Sequence, residues 1–129
     1  MIEPRWVSDQ GLRILHDDSL VEHGGLPGVR DDGLFQSAQA RPQNLHGYEP
    51  GSDIARLAAA YGFGLAKNHA FADGNKRAAL TAVGVFLAKN GFDLTASNAE
   101  TYSSIVGLAA GEIGEEEFAA WIRGNIRPK

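Results

Sequence analysis

Two stretches of the chain are apolar at helical spacing on nearly every face. From Ser52 to about Asn68, Ile54, Leu57, Ala58, Tyr61 and Leu65 recur three and four positions apart. Ala55, Ala59, Ala60, Phe63 and Ala66 fill the other faces, and only Asp53, Arg56 and Lys67 carry charge. The pattern predicts a mostly buried helix capped by Ser52. From Asn75 to about Asn90 the run is similar, with Ala78, Ala79, Leu80, Ala82, Val83, Val85, Phe86 and Leu87. Asn90-Gly91 supplies its stop. Two buried helices joined by a loop of about six residues are expected to lie side by side.

The flanking segments are more weakly patterned. Residues 1–7, with Pro4, read as an extended lead-in. Ser8 or Asp9 caps a helix to about Glu22, whose partly apolar face holds Leu12, Leu15, His16 and Leu20; Gly24-Gly25 stops it. Leu26 to Arg30 is a loop by its Pro and Gly. Asp31 or Asp32 caps a short helix through about Ala40, with Leu34, Phe35 and Ala38 inward, and Pro42 ends it. His46 to Gly51 is a second loop. Phe92 to Thr95 is an extended link. Ser97 or Asn98 caps a helix to about Ala110, with Tyr102, Ile105, Val106 and Leu108 apolar, and Gly111 ends it. Gly114 opens a last helix with Phe118, Trp121 and Ile122 as its inner stripe. Glu115, Glu116 and Glu117 sit in its first turn, where acids complement the dipole, and read as a solvated cap. Arg127-Pro-Lys reads as a frayed tail. No strand pair is expected, so the class is all-α, a single domain over residues 1–129.

Composition narrows the function classes. A chain of 129 residues with 43% hydrophobic positions has enough length and apolar content for one cored domain. A formal net charge of −4 argues against coating nucleic acid. The absence of Cys excludes disulfides, thiol catalysis and Cys-ligated zinc. No apolar run reaches the roughly 18 residues of a membrane span, and the N-terminus lacks the apolar centre of an export signal. The expected compartment is the cytoplasm, with neither a membrane nor a nucleic acid as direct partner.

The chemistry concentrates at the joint between the two apolar stretches. His69, Phe71, Asp73, Gly74, Asn75, Lys76 and Arg77 fall within nine positions. A helix beginning near Asn75 leaves its first N–H groups without intrahelical partners, and its dipole favours an anion there. Gly74 permits a tight turn and the close approach of a ligand. Lys76 and Arg77 oppose the dipole, which makes sense if a polyanion such as a nucleotide phosphate binds. Asp73 would repel those phosphates unless a hard cation lies between, and Mg²⁺ is commonly held by one or two carboxylates plus phosphates. Imidazoles exchange protons near neutral pH, which suits His69 to acid–base work. Phe71 is an apolar anchor for the loop. Taken singly, each residue has an ordinary reading, as a surface histidine, an N-cap or an Asp-Gly turn. Taken together, those readings leave two cations at the wrong end of a helix.

The string H-A-F-A-D-G-N-K-R resembles the signature of the Fic/Doc superfamily, H-x-F-x-[D/E]-G-N-x-R. Lys76, where nucleotidylating Fic enzymes have a second Gly, is similar to the death-on-curing (Doc) branch. Leu12 to Gln43 and A-A-A-Y-G-F-G-L-A-K-N-H resemble the same branch, so the likeness covers nearly the whole chain. It implies the Fic/Doc helical bundle, with two central helices flanking an active-site loop. It also implies ATP-dependent modification of a protein hydroxyl. In that scheme His69 is the general base and Asp73 holds Mg²⁺. Gly74, Asn75, Lys76 and Arg77 bind the nucleotide, and Lys76 and Arg77 neutralise charge on the transferred group.

Doc-type toxins transfer the terminal phosphate, with elongation factor Tu as the family target, whereas G-N-G-R enzymes transfer AMP. Lys76 blocks the close approach that a glycine allows, and Leu80 stands where AMP-transferring members usually carry a second Arg; both favour the kinase. The alternatives are an AMP transferase and a catalytically idle antitoxin-binding module. The resemblance places a flap that holds target backbone within residues 41–50. Self-inhibiting Fic proteins carry [S/T]-x-x-x-E-[G/N], and no Glu here precedes Gly or Asn. Inhibition is therefore expected in trans, by a Phd-type antitoxin whose C-terminal helix lies in a groove.

Overall fold

Side-chain caps set where most of the helices begin. In a computed structural model that describes residues 3–129, the Ser8 hydroxyl accepts the Gly11 N–H at 2.9 Å and opens α1, Asp9–His23. Asp31 accepts the Leu34 N–H at 3.0 Å and opens α2, Asp32–Tyr48. Asp53, rather than the expected Ser52, accepts the Arg56 N–H at 2.9 Å and opens α3, Ile54–Asn68. The next helix, α4, runs Asn75–Lys89 from Gly74, which offers no side-chain cap. A reciprocal Ser97–Glu100 capping box opens α5, Asn98–Ala109, and Gly114 precedes α6, Glu115–Arg123.

The helix α3 is the centre of the molecule. It packs against α2, α4, α5 and α6, and Leu57, Tyr61 and Leu65 are fully buried. Its alanines and glycines let neighbours come close: a Cβ on Gly62 would lie 2.7 Å from the Phe118 ring, and one on Gly64 would lie 3.1 Å from Cα of Ala38. The second apolar stretch, α4, lies beside it with Ala79, Ala82, Val83, Phe86 and Leu87 buried. The expected all-α fold with two buried central helices is what forms.

Three local expectations are corrected. Pro42 does not end α2; it lies buried inside a helix that continues to Tyr48. An internal proline removes one helix hydrogen bond and costs about 3 kcal/mol in isolation, but α2 is pressed along α3, with Ala38 against Gly64, and this packing sustains the second half. Residues 41–48 are therefore helical rather than the flap and loop expected there. The C-terminal tail is not frayed either: β2, Ile126–Pro128, pairs antiparallel with β1, Phe92–Leu94, in the register Phe92–Pro128 and Leu94–Ile126. Finally, Glu115 is not a solvated cap. It lies between the Arg41 and Arg56 guanidiniums with only 10% of its side chain exposed, tying α6 to α2 and α3.

Candidate active site

The loop from His69 to Gly74 is pinned residue by residue, mostly by groups outside it. Arg30 N–H and Asp31 N–H donate to the Ala70 carbonyl at 2.8 and 3.2 Å, and Ala72 N–H donates to the Gly28 carbonyl at 3.0 Å. Val29 thereby forms an antiparallel bridge with Phe71. The strand-like segment beside the loop is residues 28–31, well upstream of the expected flap. Asn75 reaches back with both ends of its amide: Oδ1 accepts the Phe71 N–H at 3.0 Å, and Nδ2 donates to the Phe71 carbonyl at 3.2 Å. The Phe71 ring is buried and stacks on His16 at 3.7 Å between centroids, with the Phe35 ring edge-on at 5.4 Å. His16 is itself buried, and its Nε2 lies 2.7 Å from the Asp73 carbonyl. A carbonyl only accepts, so Nε2 carries the proton.

His69 is the one non-glycine residue with positive φ among the described residues, at φ 50 and ψ 44. This left-handed conformation, usually left to glycine or asparagine, costs a side-chain-bearing residue about 1–2 kcal/mol. It ends α3 sharply and leaves the imidazole exposed at the mouth of the loop. Arg30 Nε and Nη2 both donate to the His69 carbonyl, at 3.0 and 2.7 Å.

Gly74 also has positive φ, at 72, and turns the chain into α4. Its N–H is taken by Asp73 Oδ1 at 2.8 Å. The first backbone hydrogen bond into α4 runs from Ala78 N–H to the Gly74 carbonyl. The N–H groups of Asn75, Lys76 and Arg77 therefore have no intrahelical acceptor and face an open end. The Arg77 guanidinium rests 4.2 Å from the centroid of the Tyr102 ring, brought in by α5. Neither Lys76 nor Arg77 forms an ion pair with another side chain among the described residues.

These residues enclose one cavity of about 310 Å³, lined by His69, Asp73, Gly74, Asn75, Lys76, Arg77 and Tyr102. Every site residue expected from sequence is thus brought to one place. The Asn75 side chain, however, faces the loop backbone, so what it can offer a ligand is its N–H. Three contributors lay outside the motif: Tyr102, His16 and Arg30. Tyr102 read as an apolar helix position, His16 as part of an apolar face and Arg30 as a loop residue. No local signal marks Tyr102 as lining this cavity, or His16 and Arg30 as holding the loop beside it.

The cavity suits a polyphosphate chemically, with free N–H donors, two uncompensated cations and an exposed carboxylate on one wall. Among the described residues Asp73 Oδ1 and Oδ2 accept only from backbone N–H groups, of Gly74 at 2.8 Å and Leu26 at 3.4 Å, so the carboxylate keeps lone pairs for a hard cation. No cluster of three or more His, Cys, Asp or Glu that could hold a metal occurs among the described residues. A cation here would need the ligand's own oxygens beside Asp73. No helix among the described residues is long and apolar enough to cross a membrane.

Comparison with known proteins points the same way. The Fic/DOC family model matches residues 6–87. The chain is 36% identical over 119 residues to the protein kinase doc of Escherichia phage P1, covering 92% of this chain and 94% of that protein. It is 44% identical over 77 residues to the toxin Doc of Mycolicibacterium smegmatis, covering 59% of each. The match to the phage protein runs through both central helices and the cationic cavity between them, and on it the chain belongs to the Fic/DOC family, in its Doc branch.

Proposed function

We propose that this Doc-type protein is the toxin of a toxin–antitoxin pair, and that it transfers the terminal phosphate of ATP to a Ser or Thr hydroxyl of elongation factor Tu, arresting translation. The observation that carries the reading is the cavity itself. An exposed imidazole stands at one side, and an open helix start with two unpaired cations stands at the other. The phage relative's description as a protein kinase supports phosphate transfer in particular.

In this reading the hydroxyl oxygen of the target bonds to the terminal phosphorus, the bond from that phosphorus to the bridging oxygen breaks, and ADP leaves. His69 accepts the hydroxyl proton. The N–H groups of Asn75, Lys76 and Arg77 hold phosphate oxygens. Lys76 and Arg77 offset the charge that spreads over the transferred group, and Tyr102 keeps the Arg77 guanidinium at the cavity wall. Asp73 would hold Mg²⁺, which supplies charge neutralisation between phosphates when bound. The antitoxin, of the Phd type, would lay an amphipathic C-terminal helix against the toxin. The groove between α1 and α4 is the candidate seat, since it sets apolar Leu15, Leu80 and Val85 among polar Asp18, Glu22, His23 and Thr81, a mixed lining that an amphipathic helix can match.

The test is label transfer to elongation factor Tu from γ-labelled and α-labelled ATP. Label from the γ position alone is the expected result. Label from the α position would make the protein an AMP transferase. No transfer from either would leave an antitoxin-binding module or a different target. His69→Ala should lose transfer while keeping the parent's circular dichroism and Tm; an active variant would remove His69 as base. Adding the antitoxin should stop the labelling.

A further inference from the structure

We propose that Arg30 is the positioning residue of the site: it holds His69 in its left-handed conformation and so fixes where the imidazole stands. The inference rests on the reading of His69 as the base. It goes beyond the signature, because Arg30 lies 39 positions earlier in the chain.

The cap of α3 differs from every other helix end in the molecule. The cap N–H groups of α1, α2, α4, α5 and α6 each return to a carbonyl of the last turn. The cap of α3, His69, makes no such well-formed bond among the described residues. A left-handed cap normally carries Gly or Asn and is closed by those return bonds. Here the residue is a histidine and no well-formed closing bond is present among the described residues, so contacts from outside the helix bear on the conformation. The groups in place are the two donors of one guanidinium, Nε at 3.0 Å and Nη2 at 2.7 Å, both on the His69 carbonyl. The segment carrying Arg30 is itself seated on the loop, through its own N–H on the Ala70 carbonyl and the Gly28 carbonyl on the Ala72 N–H. The guanidinium is thus presented from a fixed base. A planar fork can place two donors on one acceptor, and a lysine cannot. Arg30 does not line the cavity. Its side chain would act on the imidazole through the backbone of His69.

The experiment compares Arg30→Ala and Arg30→Lys with the parent. In Arg30→Ala, kcat for target phosphorylation should fall roughly ten- to a hundred-fold, as expected when a catalytic group is misplaced by about an ångström. KM for ATP and the nucleotide Kd should stay at the parent's values, since the phosphate wall is untouched. Arg30→Lys should fall between the two, and added guanidinium ion should partly restore Arg30→Ala. The readout that a merely structural role would not move is the backbone of His69. Its ¹³Cα and Hα shifts and the coupling constant that reports φ should leave the left-handed range in Arg30→Ala. A positive φ retained at His69, or a kcat within about two-fold of the parent, overturns the proposal. His69→Ala separates this from the reading beneath it. If that variant is active, the base assignment fails whatever Arg30 does. If it is inactive and Arg30→Ala is not impaired, only the positioning role fails. Should Arg30→Ala unfold, Arg30→Lys carries the same comparison.

Discussion

Asn75 illustrates how much of the site is decided at single residues. Its amide grips both polar groups of Phe71, and Phe71 is the ring that seats the loop. Asn75→Ala removes two hydrogen bonds and leaves a partly buried N–H and carbonyl without partners. That should cost about 1–3 kcal/mol of stability, read by thermal or urea unfolding, with a loss of phosphate transfer beyond the loss of folded protein. Gly74→Ala should be milder. A Cβ there would meet nothing closer than His16 Nε2 at 3.5 Å, an ordinary contact. The cost is then the positive φ alone, about 1–2 kcal/mol, with the cavity preserved. At this scale the signature made the identities of the site residues legible. It did not say which way each side chain points: Asn75 turns inward to the loop, and Arg77 lies over a tyrosine from a helix two elements away.

Among the elements, α3 has the least room for change. Gly62 faces both Val83 on α4 and Phe118 on α6. Gly62→Ala would place a methyl 2.7 Å from a buried ring, so the helices must part. The expected loss is about 1–3 kcal/mol, typical of overpacking, despite the better helix propensity of alanine; the change in Tm checks it. The element pattern was legible where periodicity was strong, as in α3 and α4, whose bounds differ from expectation by one or two residues. It failed at α2 and at the C-terminus. Pro42 is a correct local warning against helix, overridden because the packing of α2 along α3 rewards continuation. The extended run at Phe92 was legible, but its pairing was not: β2 forms because β1, far away in sequence, is there to pair with it.

Over the whole molecule, charge ties the helices together and sets the response to pH. Hydrogen bonding to Arg123, at 2.6 Å, holds the Asp53 carboxyl below its ordinary value of 3.8, and the Arg56 N–H it caps acts the same way. Unfolded, that carboxyl takes its proton at 3.8; folded, it stays ionised further into acid. The stabilisation is therefore complete above the ordinary value and is lost as pH falls through the lowered one. Asp53→Asn should flatten this part of the acid limb in urea unfolding at graded pH. Tyr61 behaves in the opposite sense. Burial raises its phenol above 10.0, while its oxygen accepts the Val7 N–H at 3.0 Å. The unfolded phenol ionises first, so stability declines as pH rises past 10.0. Tyr61→Phe should remove that alkaline decline and, by orphaning the buried Val7 N–H, cost about 1–3 kcal/mol at neutral pH.

The chain by itself determined the all-α class, the two central helices, their joint and the residue types gathered there. These follow from local causes: apolar spacing, caps, and a dense ionic string at a helix start. Only the tertiary structure decided that Arg30 reaches the His69 carbonyl, that His16 meets the Asp73 carbonyl, that Tyr102 carries Arg77, and that Glu115 is clasped by two arginines. Each of those contacts joins residues more than twenty positions apart. Periodicity and propensity report what a residue does to its own turn of helix, not which distant group the finished packing sets against it.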